Sequence, residues 1–459
     1  MGRVLLLATT TGYQTRAFGE AAERLGVELV FATDRCRGIE DPWQDGAIPI
    51  RFYDEDASVA AILAADNDRP LDGVLVVGDR PTVIAARVCE ALGFPGHPHA
   101  AAAVARHKQR TRERLRDAGL PVPWFFAAAL SSQPFALGVA PSALSPAPSA
   151  LSPQPLSFPC VVKPVALSGS RGVMRADDPA GFAAAFERLR ALMRSPEIRA
   201  ERDEAHATAL VEGFIPGREY AVEGLLHHGR LHTLAIFDKP DPLDGPFFEE
   251  TIYLTPSSAP ADVQAAIVDG VRRAARAIGL QHGPLHAECR VSPSSRSGQP
   301  EVFVLEVAGR PIGGLCARAL RFEPVGTQIA NPESQIPLEE LLLRQALGED
   351  PASYQREATA SGVMMIPIPR RGVFRGVEGV DAARRLPHVD EVRITAKMDQ
   401  LLVPLPEGAS YLGFIFARAA IRADVEQALR AAHAALTFII DPEFPVLAPE
   451  QVHYNVHHG

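Results

Sequence analysis

Short apolar runs alternate with stretches of helical spacing over the first hundred residues, and this alternation restricts the possible folds most strongly. The apolar runs are RVLLLA (3–8), VELVFA (27–32) and GVLVVG (73–78). Residues 17–25 and 82–92 carry apolar residues at helical spacing. A small parallel sheet wrapped by helices is therefore predicted for residues 1–100. No GxGxxG follows the first run, so the sequence does not support a dinucleotide site.

The length and charge of the chain narrow its class further. A chain of 459 residues is too long for one core and suggests roughly three domains. No apolar run approaches the roughly 20 residues of a membrane span, and the opening MGRVLLLATTTGYQ resembles a buried strand more than a signal peptide. A cytoplasmic protein is expected. The net charge of −9 argues against nucleic acid and anionic membranes as partners.

Cysteines and histidines show no metal or disulfide pattern. The five cysteines are odd in number, widely separated and without a CxxC pair, so we expect buried free thiols. The fourteen histidines include the pairs His97/His99 and His457/His458, but no cysteine or HExxH motif accompanies them. They are interpreted as scattered polar or core residues.

A helix and an insertion follow the first domain. Residues 100–119 show a helical pattern ended by Gly119 and two prolines. Residues 131–157 repeat PSALSP within a stretch rich in proline, serine and alanine. Such a composition buries too little apolar surface to offset the entropy lost on ordering, so a disordered insert is predicted.

Sequence patterns typical of strands and helices resume at residue 158. Helices are predicted over about 178–194 and 260–278. The predicted strands are FPCVVKP (158–164), ALVEGFI (209–215), EYAVEGLL (219–226), LHAECRV (285–291) and EVFVLEV (301–307). From residue 362 onward, three strand patterns surround helices at about 379–386 and 422–436, which predicts a small α+β cap.

Lysine is scarce, and its positions are informative. Of 46 lysines and arginines only four are lysines: Lys108, Lys163, Lys239 and Lys397. Where arginine carries nearly all the positive charge, a lysine indicates a place that needs a compact ammonium on a flexible stem. Three of the four lie beside other indications of phosphate chemistry.

The first such indication is a lysine that ends a strand before a turn of small residues. Lys163 ends the strand, and Ser168-Gly-Ser-Arg-Gly follows five residues later. Successive backbone N–H groups of such a turn can point at phosphate oxygens while the lysine supplies a point charge. The turn is not a Walker A loop, because the chain contains no GxxxxGK[ST]. A glycine-rich hairpin beside a solvent-reaching lysine is the alternative.

The second indication is a strand broken by Pro216-Gly217, with Glu212 before the break and Glu219 after it. A broken strand leaves backbone N–H and C=O groups that can pair with a purine edge, and a glutamate can accept hydrogen bonds from ribose. Surface glutamates beside a turn are the alternative.

The third indication is a pair of glutamates on two predicted strands. Residues 285–291 and 301–307 can form an antiparallel hairpin, which places Glu288 opposite or diagonal to Glu306. Like charges so placed are destabilising unless a divalent cation lies between them, and Mg²⁺ prefers carboxylate oxygens. By alternation Arg310 points into the same site. Two solvated strand glutamates are the alternative.

Taken in order, these segments resemble the ATP-grasp superfamily of carboxylate-amine ligases over nearly the whole chain. The match begins at Lys108 and continues through VVKP, SGSRGV, VEGFIPGREYAVEG, HAECRV and LEVAGRPIGG. The stretch DKPDPLDGPFFEETIYLTPSS, the RPIGGLCARAL segment and the cap are most similar to the L-amino acid ligases, which form dipeptides and include carnosine-synthase-like enzymes.

The resemblance implies an α/β and α+β protein with the ATP-grasp fold. The expected parts are an N-terminal Rossmann-like domain (1–100), a central ATP-grasp region (101–358) and an α+β C-terminal part (359–459). The implied activity is ATP-dependent amide formation between a small carboxylate and an amine, through an acyl phosphate, with release of ADP and phosphate. Other ATP-grasp chemistry, of the purine-pathway or biotin-carboxylase kind, and a non-catalytic nucleotide-binding protein are the alternatives.

The resemblance also implies roles for single residues. ATP is the implied cosubstrate, and Mg²⁺ is the implied metal, for which Mn²⁺ can substitute. The resemblance is also compatible with a homodimer. Glu288 and Glu306 would bind the metal, while Arg310 and Lys163 would be catalytic. The substrate would contact Glu250, Arg310, Gly313 and Gly314. ATP would contact Lys108, Lys163, Ser168, Gly169, Ser170, Gly172, Val173, Glu212, Phe214, Ile215, Glu219 and Lys239.

One position departs from the family pattern. The family commonly has an asparagine as a further metal ligand two residues after the second glutamate, and this chain has Ala308 there. The departure bears on the number of metal ions bound.

Overall fold

A computed structural model describes six stretches of the chain: 2–9, 13–34, 47–132, 156–292, 300–326 and 335–443. Most of the predicted insert, residues 133–155, lies outside the described part. Cys36 and the pair His457/His458 also lie outside it.

The N-terminal region forms the predicted parallel sheet. Its strands are β1 (Arg3–Ala8), β2 (Glu28–Asp34), β3 (Ile48–Ile50) and β4 (Gly73–Val77). Its helices are α1 (Tyr13–Leu25), α2 (Glu55–Asp68) and α3 (Thr82–Leu92). The strand order is β3-β2-β1-β4, and all pairs are parallel, which confirms the predicted alternation and adds the short β3. One face of the sheet packs on α2 and α3 through Leu5, Leu7, Ile62 and Ile84.

The single helix predicted for residues 100–119 is wrong, because the structure has two helices there. They are α4 (His99–Ala105) and α5 (Lys108–Asp117). His107 has an extended backbone, and its Nδ1 accepts from the N–H of Arg110 at 3.4 Å, which makes it the N-cap of α5. The break also allows the Lys108 N–H to donate to Val165 O at 2.8 Å. Lys108 therefore starts a helix beside the predicted phosphate turn.

A second sheet carries Lys163 and Glu212. Its strands are β5 (Phe125–Ala129), β6 (Cys160–Pro164), β7 (Met174–Ala176) and β8 (Thr208–Gly213), in the order β5-β8-β6-β7. Helices α6 (Pro179–Met193) and α7 (Pro196–Ala200) follow β7. Phe182, Phe186 and Leu189 of α6 pack on the sheet, so the predicted helix at 178–194 is confirmed and positions one wall of the site.

The remaining chain supplies more strands, in two groups. The first group comprises β9 (Arg218–His227), β10 (Arg230–Asp238), β11 (Ile252–Thr255), α8 (Ala261–Ile278), β12 (Gly283–Ser292) and β13 (Glu301–Ala308). The strands of the second group are β14 (Arg321–Pro324), β15 (Ile336–Pro337), β16 (Tyr354–Arg356), β17 (Ala360–Ile366), β18 (Gly372–Glu378), β19 (Val389–Ile394), β20 (Leu401–Leu402), β21 (Gly413–Ala419) and β22 (Thr437–Asp441). Its helices are α9 (Leu338–Ala346), α10 (Val380–Arg384) and α11 (Arg422–Ala434).

One antiparallel sheet of eight strands joins the two groups. Its order is β13-β12-β9-β10-β11-β17-β21-β19. The region after residue 359 has the predicted α+β content, but β17, β19 and β21 extend the large sheet and do not form a separate cap. The domain boundaries at residues 100 and 358 stay predictions.

Four of the five cysteines lie in the described part of the chain. Cys89, Cys160, Cys289 and Cys316 are free and buried, as predicted. Among the described helices, none combines the length and the apolar character needed to cross a bilayer.

Candidate active site

A cavity of about 600 Å³ lies between the sheet of β5–β8, the eight-stranded sheet and the carboxyl ends of the N-terminal strands. Its walls include most of the residues predicted for the site: Lys108, Lys163, Ser168, Gly169, Ser170, Val173, Glu212, Phe214, Ile215, Glu219, Glu250, Glu288, Glu306, Arg310, Gly313 and Gly314. Gly172 and Lys239 do not line it. Residues as far apart in sequence as Lys108 and Gly314 are thus brought to one place.

Lys163 and Glu212 meet on one face of the second sheet. Lys163 pairs with Leu210 in the ladder, so Glu212 lies diagonally across from it on the same face, and their side chains form an ion pair. Arg112 of α5 binds the same carboxylate in bidentate fashion, with N···O distances of 2.8 and 3.2 Å. The Glu212 carboxylate, predicted to line the adenine site, therefore holds Lys163 in place.

The charges around Lys163 set its pKa. Burial is the largest influence and lowers the pKa of Lys163 to about 8, with Arg112 and Lys108 adding to the effect and Glu212 opposing it. Burial would raise the pKa of Glu212, but the cations of Arg112 and Lys163 lower it to about 2. Lys163 is thus a cation that gives up its proton unusually easily.

Lys108 connects the phosphate turn to the predicted metal site. Its ammonium donates to Leu167 O at 2.6 Å and lies 3.0 Å from Glu306 Oε2. Leu167 directly precedes the turn that begins at Ser168. Lys108 therefore places a positive charge between the turn and the carboxylate.

The turn from Ser168 to Val173 has the backbone that its small residues predict. Gly169 and Gly172 have φ of +64° and +74°, a region that glycine adopts without strain. Ser170 between them has φ of +55°, which is uncommon for a residue with a Cβ. The N–H of Gly172 donates to Pro406 O at 2.8 Å, and Arg171 Nε donates to Glu407 O at 2.8 Å. Contacts with the C-terminal region therefore hold the turn over the cavity.

Lys239 does not line the cavity and lies at the centre of a cluster of carboxylates. Its ammonium contacts three carboxylates, those of Glu219, Glu250 and Glu288, at 2.7 Å for Glu219 and 3.0 Å for Glu288. Burial would lower the pKa of Lys239, but the three carboxylates raise it well above its usual value. Arg290 Nε also donates to Glu219, at 2.8 Å. Both Glu219 and Lys239, predicted to contact ATP, are thus held in internal ion pairs.

Glu250 faces the cavity beside Tyr253 and Glu288. Tyr253 donates to Glu250 Oε1 at 2.7 Å. Burial and, after it, the charge of Glu288 raise the pKa of Glu250 to about 7. Burial would raise the pKa of Glu288 as well, but Lys239 and other donors lower it well below its usual value. Two carboxyls with opposite shifts therefore lie side by side.

Glu288 and Glu306 are directly paired across β12 and β13, as the sequence predicts. A β-bulge follows immediately, where Cys289 pairs with Val304, so Leu305 is the extra residue. Bulges redirect side chains beside active sites. The carboxylates of Glu288 and Glu306 point at the same cavity.

Glu288 also belongs to a second group of carboxylates. Oxygen atoms of Glu219, Glu250 and Glu288 lie within 4.8 Å of one another. Each of the two predicted ligands is paired here with an ammonium, Glu288 with that of Lys239 and Glu306 with that of Lys108. A lysine ammonium thus balances the charge of each carboxylate. Carboxylate oxygens are also the ligands that Mg²⁺ prefers.

Arg310 follows β13 and reaches the N-terminal sheet. Its Nε and Nη2 donate to the two carboxylate oxygens of Asp79, at 2.9 and 3.0 Å. Asp79 lies just beyond β4, and Thr9, just beyond β1, lines the same cavity. Carboxyl ends of parallel strands commonly carry binding residues. Burial would lower the pKa of Arg310, but Asp79 raises it above its usual value, so Arg310 stays a cation.

An apolar pocket forms part of the cavity wall. Phe214 and Phe248 stack with their ring centroids 6.4 Å apart, and Val161 packs with Phe248. The backbone of Ile215 joins this wall, where its carbonyl accepts from Arg290 Nη1 at 2.8 Å. The pocket can hold a flat ring against aromatic side chains.

Gly313 and Gly314, predicted for the substrate, line the other end of the cavity. Gly314 has φ of +62°, and a Cβ there would lie 3.1 Å from the Phe414 ring. Position 314 thus favours glycine for both backbone and space.

Four residues that the sequence did not single out also belong to this site: Arg112, Asp79, Tyr253 and His286. Lys397, noted in the sequence only as one of the four lysines, lines the cavity as well. His286 Nδ1 lies 3.1 Å from Glu223, and the Ile312 N–H donates to Glu223 Oε1 at 3.1 Å. Asp79 had a usable signal, since it directly follows the apolar run GVLVVG. Arg112 carried no local signal, because its partner Glu212 lies 100 positions away.

Comparison with known proteins agrees with this geometry. Residues 19–96 match the family model described as ATP-grasp N-terminal domain, and residues 156–319 match the ATP-grasp domain. Residues 364–441 match the L-amino acid ligase C-terminal domain 2.

Two curated relatives and one solved structure cover different shares of the chain. Carnosine synthase 1 of Gallus gallus is 35% identical over 243 residues, which are 51% of this chain and 24% of that protein. Alanine–anticapsin ligase of Bacillus subtilis strain 168 is 25% identical over 227 residues, 46% of this chain and 44% of that protein. The match therefore spans less than half of either relative.

The crystal structure of an L-amino acid ligase from Bacillus licheniformis aligns over 96% of this chain and 99% of its own, with a TM-score of 0.72 and 25% identity. The match thus includes the N-terminal sheet, both walls of the cavity and the C-terminal strands. The chain belongs to the ATP-grasp superfamily, and its C-terminal domain is of the L-amino acid ligase type.

Proposed function

We propose that this protein is an ATP-dependent ligase that joins a small carboxylate to an amine, forming a dipeptide or an amino-acid conjugate. The observation that supports it most is the cavity itself, in which Lys108, Lys163 and Arg310 face the carboxylate pair Glu288/Glu306. Its volume of about 600 Å³ is within the range of small-molecule sites. The full-length match to an L-amino acid ligase structure favours this chemistry over other ATP-grasp reactions.

ATP would lie between the two sheets. Phe214, Phe248 and Ile215 would hold adenine, and Lys108 and Lys163 would contact the phosphates. Ser168, Gly169 and Ser170 would cover those phosphates with backbone N–H groups. Gly172 and Val173 would act by shaping the turn, because their N–H groups donate to Pro406 O and Ser170 O. Glu219 would accept from ribose, with Lys239 and Arg290 fixing its carboxylate. Glu212 would act through Lys163, because Lys163 and Arg112 occupy its oxygens.

Glu288 and Glu306 would hold Mg²⁺, or Mn²⁺ in its place. When bound, such an ion neutralises charge on the distal phosphates of ATP. Ala308 offers no side-chain oxygen, so this chain supplies the metal with two carboxylates where the family commonly adds an asparagine.

The reaction would proceed in two transfers. A carboxylate oxygen of the first substrate attacks the γ-phosphorus, the bond to the β,γ-bridging oxygen breaks, and ADP leaves with its electron pair. The amine of the second substrate then attacks the acyl carbon, phosphate leaves, and the nitrogen loses a proton to solvent or a base. Arg310, a cation held by Asp79, would stabilise the charge on the acyl phosphate. No protein nucleophile is required, because positioning and charge neutralisation account for the catalysis.

The substrates would occupy the end of the cavity formed by Gly313, Gly314 and Glu250. Tyr411 and Phe414 form an apolar wall there, with ring centroids 6.0 Å apart. The same region offers Lys397 as an exposed cation. We infer amino acids or similar small acids as substrates, because the region combines charged groups with a limited apolar surface.

A phosphate-release screen over pairs of amino acids, with ATP and Mg²⁺, tests the proposal. A productive pair should give one ADP and one phosphate per amide formed. Glu306→Gln should lower turnover about 100-fold or more, as expected for a lost electrostatic contact in a buried site. Glu187→Gln, an exposed carboxylate on α6, is the matched control and should leave turnover unchanged.

Two outcomes would contradict the proposal. AMP and pyrophosphate as products would exclude transfer of the γ-phosphoryl group. Tight binding of ATP with Mg²⁺ and no phosphate release over the whole screen would support a nucleotide-binding protein without ligase activity.

A further inference from the structure

Three histidines meet at a place remote from the cavity. His227 and His228 lie at the turn between β9 and β10, and His282 directly precedes β12. The turn is tied to the second segment by a hydrogen bond from the Gly229 N–H to Gln281 O, at 2.7 Å. None of the three lines the large cavity. The sequence suggested scattered polar or core histidines, whereas the structure brings these three rings together.

The three rings are close enough to share one ligand. One ring nitrogen from each lies within 4.8 Å of those of the other two. The ring centroids are 4.5 Å apart for His227 and His228, and 5.0 Å apart for each of these with His282. Nitrogens bound to one tetrahedral ion at 2.0–2.1 Å would lie about 3.3 Å apart. Small side-chain rotations would bring them to that distance.

The protein leaves polar atoms of this cluster without partners. Nδ1 of His227 and Nδ1 of His282 are buried and have no hydrogen-bond partner within the described part of the chain. His282 is only 7% exposed. A buried ring nitrogen without a partner costs free energy, so a ligand that binds these nitrogens would be stabilising.

His97, a buried histidine near the cluster, differs from His227 and His282 because both of its ring nitrogens have partners. Its Nε2 lies 3.0 Å from Pro284 O, and its Nδ1 accepts from the Gln281 N–H at 3.2 Å. Both of its nitrogens are thus satisfied by backbone. The local fold can satisfy a buried histidine completely and does not do so for His227 and His282.

The turn places its own histidine in an unusual backbone conformation. His228 has φ of +48° and Gly229 has φ of +80°, as a two-residue hairpin turn requires. Asparagine and glycine suit such positions better than histidine. His228 is also exposed, which gives a ligand a path from solvent.

We propose that His227, His228 and His282 form a second metal site, which binds one divalent transition metal ion such as Zn²⁺, with solvent as the fourth ligand. Three imidazoles without a carboxylate select borderline ions such as Zn²⁺, Co²⁺ and Ni²⁺ over Mg²⁺. The ion would fasten the β9–β10 turn to the start of β12.

Metal titration of the full chain tests the site. The protein is stripped with a chelator and titrated with Co²⁺ and Zn²⁺ in excess Mg²⁺, which keeps the catalytic carboxylates occupied. All samples carry His453→Gln, His457→Gln and His458→Gln, so that the C-terminal histidines cannot bind the ion. We expect one Co²⁺ per chain, with the intense visible absorption of four-coordinate cobalt.

His228→Asn is the decisive variant, because asparagine suits the turn backbone and should leave folding intact. It should weaken Co²⁺ and Zn²⁺ binding about 100-fold or more, and His282→Gln should do the same. His99→Gln, a partly exposed histidine outside the cluster, should bind like the parent. Zn²⁺ should raise the melting temperature only when all three histidines are present. Absence of saturable binding, or an affinity unchanged by His228→Asn, would overturn the proposal.

Discussion

Lys163 and Lys239 are equally buried, each 6% exposed, yet their environments shift their pKa values in opposite directions. Lys163 faces one carboxylate, which it shares with Arg112, whereas Lys239 faces three. Burial alone would lower the pKa of both. The number of neighbouring carboxylates therefore decides the role of a buried lysine. With one carboxylate the lysine keeps a low pKa and can interact with a bound phosphate, whereas with three it is held in internal ion pairs.

The comparison predicts the largest effect on stability at Lys239. Lys239→Met leaves Glu219, Glu250 and Glu288 without their shared cation, and removing one partner of a buried ion pair costs about 3–5 kcal/mol. We expect a loss of that size in the free energy of unfolding, measured by urea denaturation at pH 7.5. The double variant Lys239→Met/Glu250→Gln should recover part of it by removing one of the repelling charges. A loss below about 1 kcal/mol in the single variant would show that the cluster is not held by charge.

The next effect is on activity and concerns Lys163. Lys163→Met leaves Glu212 bound to Arg112 in bidentate fashion, so the fold should persist. Phosphate release should fall about 100- to 1000-fold, the range for one lost electrostatic contact to the transition state. Circular dichroism checks the fold, and Lys163→Arg, which retains the charge, should keep more activity than Lys163→Met. Unchanged turnover in Lys163→Met would remove this lysine from the mechanism.

The low pKa of Lys163 predicts a pH dependence that Lys239 should not produce. Lys163 is a cation below its pKa of about 8 and neutral above it, so its attraction for phosphate decreases as pH rises through 8. The kcat/KM for ATP, which reports the free enzyme, should fall up to about tenfold per pH unit above that value. In Lys163→Arg this limb should move to higher pH. A decline that Lys163→Arg leaves in place would assign it to another group.

The smallest effect is expected at Lys397, the exposed lysine of the cavity. Its backbone N–H donates to Gln400 Oε1 at 2.9 Å, and its side chain is open to solvent. Exposed charges contribute about 0–1 kcal/mol, so Lys397→Gln should raise the KM of one substrate less than about tenfold. Steady-state kinetics with each substrate varied in turn measures the change. A larger increase, or a fall in kcat, would place Lys397 against the reacting groups.

The sequence predicted the parts of the site that depend on local pattern. Alternation along two strands was enough to pair Glu288 with Glu306, and a strand followed by small residues was enough to locate Lys163 and its turn. Both follow from backbone geometry that extends over a few residues.

Contacts between distant segments were not predictable in this way. Arg112 and Glu212 are 100 positions apart, and Asp79 and Arg310 are 231 apart. No periodicity in one segment indicates which charged residue of another will meet it. The break before Lys108 was missed for a related reason, since the side chain of His107 caps a helix within an otherwise continuous helical pattern.

The eight-stranded sheet determines how this chain can be shortened. Cutting after residue 359 would remove β17 and leave β11 with an open edge, although all four of its residues, Ile252–Thr255, are buried in the intact sheet. An unprotected apolar edge pairs readily with other chains. A fragment that retains every nucleotide-binding residue proposed here would thus be prone to aggregation. Solubility, rather than loss of catalytic groups, would therefore limit attempts to exchange the C-terminal domain between relatives.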